Sequence, residues 1–214
     1  TTVGEYSISA VGPGPRALPH WEAARQAGMK TGAEIQFNNT CEIANFDRLA
    51  DSPFICSASI ERRSYEVDGR TFHICFNQQQ MIPWERVLQD FQKFTARQLQ
   101  DFGEFPSQEY TFLIQSVPYA AYHGVEHLDS TVIALGPSCD IFGSLYTELL
   151  GVCSHELYHS WNIKALRPAE MQPYNFKNEN YAQTGLIYEG ITTYLGDLYL
   201  LKSGVFSTEQ YLKE

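Results

Sequence analysis

The sequence predicts an α+β fold, a mixed sheet packed on helices, and three observations carry that reading. Two β-rich runs, Ala58–Val67 and Thr71–Phe76, flank Asp68-Gly69-Arg70, a hairpin signal because Asp-Gly tolerates the positive φ of a tight turn. Two further apolar runs, Tyr110–Val117 and Thr131–Gly136, read as strands. Helical periodicity then occupies Pro83 to about Phe102, Ser144 to about Lys164, and Tyr181–Leu201.

Taken in order, the first 44 residues are expected to close a preceding β domain or to act as a linker. Gly12-Pro13-Gly14-Pro15 marks a turn there, and Pro19–Ala24 offers a short helix start. Asn45–Pro53 reads as a loop leading into the hairpin. In the helix opened by Pro83-Trp84, Val87, Leu88, Phe91, Phe94 and Leu99 recur on one face, and Gly103 stops it. Between the two later strands lies Tyr122-His-Gly-Val-Glu-His127, read as a Gly-containing turn. Ala165–Asn180 is a polar loop rich in Pro and Asn. Ser207-Thr-Glu-Gln210 has the pattern of a capping box and starts a helix that the end of the chain cuts short, which suggests a piece of a larger protein.

Composition sets bounds. With 214 residues and 43% apolar content, the chain can bury one substantial core. A net charge of −10 and the lack of a basic patch argue against nucleic acid. No apolar window is long enough to span a membrane. The five cysteines (41, 56, 75, 139, 153) are odd in number and without C-x-x-C spacing, so buried thiols in a reducing compartment are expected, favouring cytoplasm over periplasm. Cys56 and Cys75 are placed to be neighbours in a hairpin, and Cys153 points away from the face used below.

Chemistry concentrates in Cys153-Ser-His-Glu-Leu-Tyr-His-Ser-Trp161. It holds His155, Glu156 and His159, an H-E-x-x-H pattern on a predicted helix. Residues four apart share a helix face, so both imidazoles can reach one metal ion while Glu156 faces whatever else that ion holds. Two histidines alone do not make a hydrolytic site, which takes a third ligand. Four carboxylates follow before Ser207: Glu170, Glu179, Glu189 and Asp197. The first two lie in the polar loop. Glu189 sits among Leu186, Ile187, Tyr188 and Ile191, where a carboxylate needs a partner, and is the expected third ligand. Thr193 and Asp197, one and two turns further on, are candidates to orient the histidines.

These residues resemble the glycyl aminopeptidase family, gluzincin metallopeptidases that often carry a PDZ domain and are distant relatives of the alanyl aminopeptidases. The resemblance rests on His155-Glu-Leu-Tyr-His159-Ser-Trp-Asn-Ile-Lys164, Arg167-Pro168 and Tyr188-Glu189-Gly190-Ile-Thr192. Gly124-Val-Glu126-His127 is similar to the family's Gly-x-Glu-His segment, and Leu49-Ala-Asp51-Ser-Pro53 to a pre-catalytic stretch. It implies a thermolysin-like zincin catalytic domain over residues 45–214, truncated at its C-terminus. It also implies zinc on His155, His159 and Glu189, with Glu156 as the base. The substrate implied is a peptide with a free N-terminus and a small first residue, Gly or Ala, bound through Gly124, Glu126 and His127. Glu126 would stand beside an edge strand, where an extended peptide can add, and take the α-ammonium by a charge-assisted hydrogen bond. The oxyanion donor of related enzymes is expected beyond the 25 residues that follow Glu189.

Other readings share these residues. A non-catalytic peptide-binding module would have no use for Glu156. A structural metal would be closed by a fourth protein ligand. A zinc endopeptidase differs only in not needing the free amine.

Overall fold

Asp68 and Gly69 both adopt positive φ, 51° and 72°, the conformation of a two-residue hairpin turn whose twist matches the strands it joins. In the computed structural model, which describes residues 46–55, 57, 59–79 and 81–213, this turn links β1 (Ile60–Val67) to β2 (Arg70–Asn77). The remaining strands are β3 (Glu109–Ser116), β4 (Ala121–Glu126) and β5 (Ser130–Gly136). Their order is β1-β2-β3-β5-β4, with β2, β3 and β5 parallel and the two outer pairs antiparallel. The α+β class is as expected, with a mixed five-stranded sheet.

The inner strands bury their side chains. Phe72, Ile74, Phe76, Phe112, Ile114 and Ile133 are fully enclosed. The crossover between β2 and β3 is α2 (Trp84–Phe102), which follows the short α1 (Phe46–Ala50). Phe91 and Phe94 of α2 pack their rings edge-on to Phe112, 5.1 and 6.4 Å between centroids. Gly103, at φ 77°, ends α2 by donating its N–H to the Leu99 carbonyl. A second layer is formed by α3 (Tyr146–Tyr158), packed on β4, β5 and α2, and by α4 (Ile191–Lys202), laid against α3. Ser207 and Gln210 make the reciprocal capping box that starts α5 (Thr208–Tyr211).

Several expectations need correction. Phe46–Ala50 is helical where a loop was expected. Helix α3 ends at Tyr158, not near Lys164. The chain turns through a single π-helical stretch at Ser160–Ala165 and kinks at Asn162 and Ile163, the latter at φ 136°. The segment before α4 is likewise a π-helical turn, Leu186–Gly190, so regular helix begins ten residues later than expected, at Ile191 rather than Tyr181. The region around Gly124 is not a turn before an edge strand. It is the edge strand β4 itself, and the apolar β5 lies inside the sheet, covered on both sides by β3 and β4. A run as polar as Tyr122–His127 suits an edge, and one as apolar as β5 suits the interior. The expectations for residues 1–44, for Cys41 and for the Cys56–Cys75 neighbourhood fall outside the described residues. Among the described residues no helix is long and apolar enough to cross a membrane.

Candidate metal centre

Helix α3 carries His155 in its last turn, and His159 is the first residue after it. The four-residue spacing survives the helix end because the His159 N–H still donates to the His155 carbonyl. The two rings meet edge-on, with their Nε2 atoms 2.9 Å apart. Glu189, from the π-helical turn before α4, brings its Oε2 to 3.6 Å from His155 Nε2 and 3.7 Å from His159 Nε2. Ligand atoms on a tetrahedral zinc lie about 3.3 Å from one another, given bonds of about 2.0–2.1 Å. The three observed separations bracket that value, so these two nitrogens and one oxygen fit such an ion.

Protonation agrees with this donor set. The His159 Nδ1–H donates to the Asn162 carbonyl at 3.0 Å, which leaves the Nε2 lone pair aimed at the cluster. Burial lowers the His159 pKa, against that carbonyl, favouring the neutral ring. The facing His155 imidazole holds the Glu189 carboxyl below the usual carboxylate range, in spite of partial burial. A neutral imidazole and an ionised carboxylate are the forms that donate electron pairs to a cation.

Glu156 is 4% exposed and lies on the side of α3 that faces β4. Its carboxylate sits within 4.8 Å of those of Glu126 and of a His159 nitrogen. Its Oε2 has no hydrogen-bond partner among the described residues, an unusual state for a buried oxygen and one that leaves it free for a ligand. Burial, then the charges of Glu126 and Glu189, push its pKa up to about 8, and Lys164 works in the opposite direction. Strand β4 reaches this close only because position 124 is glycine. A Cβ there would stand 2.7 Å from Glu156 Cδ and 2.9 Å from Val152 Cγ2. Glu126 ends the same strand.

The other expected residues are placed less centrally. Thr193 Oγ1 lies 3.5 Å from His155 Nδ1, at the limit of a hydrogen bond. Asp197 faces Gly151, one turn before His155 on α3. His127 meets Asp51, with Nδ1 3.3 Å from Asp51 Oδ1, and is not among the residues clustered with the histidine pair. Asp51 also accepts from Lys164 Nζ at 2.9 Å and from the Leu128 N–H at 2.8 Å. Burial alone would raise the Asp51 carboxyl, yet the hydrogen bonds from His127, Lys164 and Leu128 and the Lys164 charge hold it down at about 2. Around this corner is a cavity of about 410 Å³, lined among others by Arg48, Glu126, Arg167 and Tyr174.

Glu189 is not buried among apolar neighbours as expected. Leu186, Ile187 and Ile191 are exposed, and the Glu189 side chain is itself 56% accessible. It nonetheless meets the histidines, because α4 lies against α3 so closely that a Cβ on Gly196 would stand 3.0 Å from His155 Cα. Asn162 lies within the motif that carries the family resemblance, but sequence reasoning marked it for no role of its own. Its signal was an amide three residues past His159, where helix was expected to continue and a helix-neutral residue fits poorly.

Comparison with known proteins supports the site's context. Residues 148–214 match the family model for M61 glycyl aminopeptidase, a span that includes His155, Glu156, His159 and Glu189. No curated protein matches the chain. An aminopeptidase N family protein from Idiomarina loihiensis is structurally similar, at TM-score 0.76 and 31% identity, over 81% of this chain. The chain spans 30% of that protein's length. The M1 zinc metallopeptidase from Deinococcus radiodurans is a remoter likeness, at TM-score 0.42 and 16% identity over 68% of this chain and 30% of that one, too weak to carry an argument. The family match over residues 148–214 and the Idiomarina likeness over most of the chain together support a glycyl aminopeptidase family assignment.

Proposed function

We propose that this chain is the core of a thermolysin-like zincin, a zinc aminopeptidase that removes small first residues, Gly or Ala, from peptides with a free N-terminus. The observation that carries the reading is the convergence of His155, His159 and Glu189 beside a buried carboxylate with one oxygen unsatisfied. His155, His159 and Glu189 would hold the zinc, three protein ligands that leave a fourth position open as catalytic sites do. When bound, zinc lowers the pKa of a coordinated water and polarises a carbonyl.

The remaining work falls to the protein's own groups. Glu156 accepts the proton of the attacking water at its carboxylate and returns it to the leaving amine. Burial and the charges of Glu126 and Glu189 raise its proton affinity, as this role requires, and positive charge at the three-ligand cluster would draw it back toward ionisation near neutrality. Glu126, at the end of the edge strand, takes the substrate's α-ammonium, while β4 offers main-chain groups to an extended peptide. Gly124 lets that strand lie against the base. Thr193 would accept the Nδ1–H of His155. Asp197 and His127 are assigned supporting places, His127 through Asp51.

The test is hydrolysis of glycyl and alanyl aminoacyl reporters by the zinc-loaded chain and by Glu156→Gln. Turnover that needs Glu156 supports the reading; a variant as active as the parent removes Glu156 from the mechanism. Cleavage of amine-blocked peptides at equal rates would instead favour an endopeptidase.

A further inference from the structure

Glu189 has little to hold it in place by packing. The turn that carries it, Leu186–Gly190, contains no buried residue, and two of its apolar side chains project into solvent. A ligand so exposed must be positioned some other way if it is to meet two imidazoles from another segment.

We propose that Asn162 is the positioning residue that fastens the Glu189 turn to the histidine-bearing helix. This inference rests on the zinc site described above. The kink after α3 turns the Asn162 backbone toward His159, so that its carbonyl accepts the ring's Nδ1–H at 3.0 Å. The side chain of the same residue reaches the other segment. Its Nδ2 donates to the Ile187 carbonyl at 3.0 Å and to Thr192 Oγ1 at 3.1 Å, on either side of Glu189. Thr192 is fully buried and gives its own hydroxyl hydrogen to the Tyr188 carbonyl at 2.6 Å. Its oxygen is therefore an acceptor toward Asn162, and the Ile187 carbonyl can only accept, so the amide nitrogen is the end that faces both.

One residue thus sets the tautomer of one ligand with its backbone and the approach of another with its side chain. Such orienting contacts typically change metal affinity by 10–100-fold. Asn162→Asp keeps the size but replaces the donor by a carboxylate, and Asn162→Ala removes the group. Thr192→Val deletes the acceptor from the opposite side, while Thr192→Ser keeps it.

The experiment is zinc affinity by competition with a chromophoric chelator, with thermal melting of the metal-free chain alongside. Asn162→Ala, Asn162→Asp and Thr192→Val should each weaken zinc binding 10–100-fold with melting little changed, and Thr192→Ser should bind as the parent does. The double variant Asn162→Ala/Thr192→Val should be no worse than the poorer single one, because both remove the same fastening. Parental zinc affinity in the Asn162 variants, or losses that simply add, overturns this inference alone. A parent chain that takes up no zinc overturns it together with the metal site.

Discussion

Replacing Gly124 by alanine is the most informative single change, because it addresses the proposed base without touching a proposed metal ligand. The added methyl would stand 2.7 Å from Glu156 Cδ and closer still to its Oε1, with Val152 Cγ2 at 2.9 Å on the other side. Carbon atoms rest at about 3.5–4.0 Å, so the carboxyl group must retreat by about 1 Å. At 4% exposure Glu156 has little free space to retreat into. The overpacking should cost about 1–3 kcal/mol of stability. A displacement of that size in a reacting group lowers turnover by about 100-fold. His155, His159 and Glu189 are not among the atoms met, so zinc should be retained. The assay is kcat on alanyl and glycyl reporters, with zinc content and melting measured on the same samples. Gly143→Ala is the control, since its Cβ would meet only the Asp140 carbonyl, at an ordinary 3.6 Å. A Gly124→Ala variant with kcat within two-fold of the parent would refute the reasoning, and so would one that loses its zinc.

Three further outcomes are expected. Glu156→Gln should keep zinc while turnover falls by about 1,000-fold, the contribution of a positioned base, read as kcat beside metal content. Glu126→Ala should raise KM for free-amine substrates and lower kcat/KM by about 10–100-fold, the loss of one charge-assisted hydrogen bond, so that the preference for free-amine over blocked peptides is lost. Asp51, whose carboxyl is held down at about 2, binds its proton less readily in the folded chain than in the unfolded one. Its contribution is therefore present above about pH 4 and is lost as pH falls toward 2, and it amounts to about 1 kcal/mol once solvent screening is allowed for. Asp51→Asn should flatten that part of the stability–pH curve; an unchanged acid limb in chemical denaturation would contradict it.

The parts of the molecule that were legible in the sequence are those fixed by local geometry. Asp68-Gly69 makes the hairpin, Ser207 and Gln210 make the capping box, and the spacing of His155 and His159 brings their rings together because four residues make about one helical turn. Features set by distant contacts were harder to read. The edge strand β4 looked like a turn because its glycine answers to Glu156, 32 positions later, rather than to its own backbone. Glu189 was singled out for burial that it does not have. Its real cause is the close approach of α3 and α4 at Gly196 and the hydrogen bonds from Asn162. Periodicity carried α3 past its true end because Ser160, Trp161 and Ile163 are still buried as a helix would bury them, while the backbone has already turned.

The most direct test of the central claim is metal content by elemental analysis, on the purified chain and on Glu189→Ala. The account predicts stoichiometric zinc in the parent and substantial loss from the variant, since two imidazoles alone hold the ion weakly. Zinc absent from the parent, or equally present in both, would contradict it.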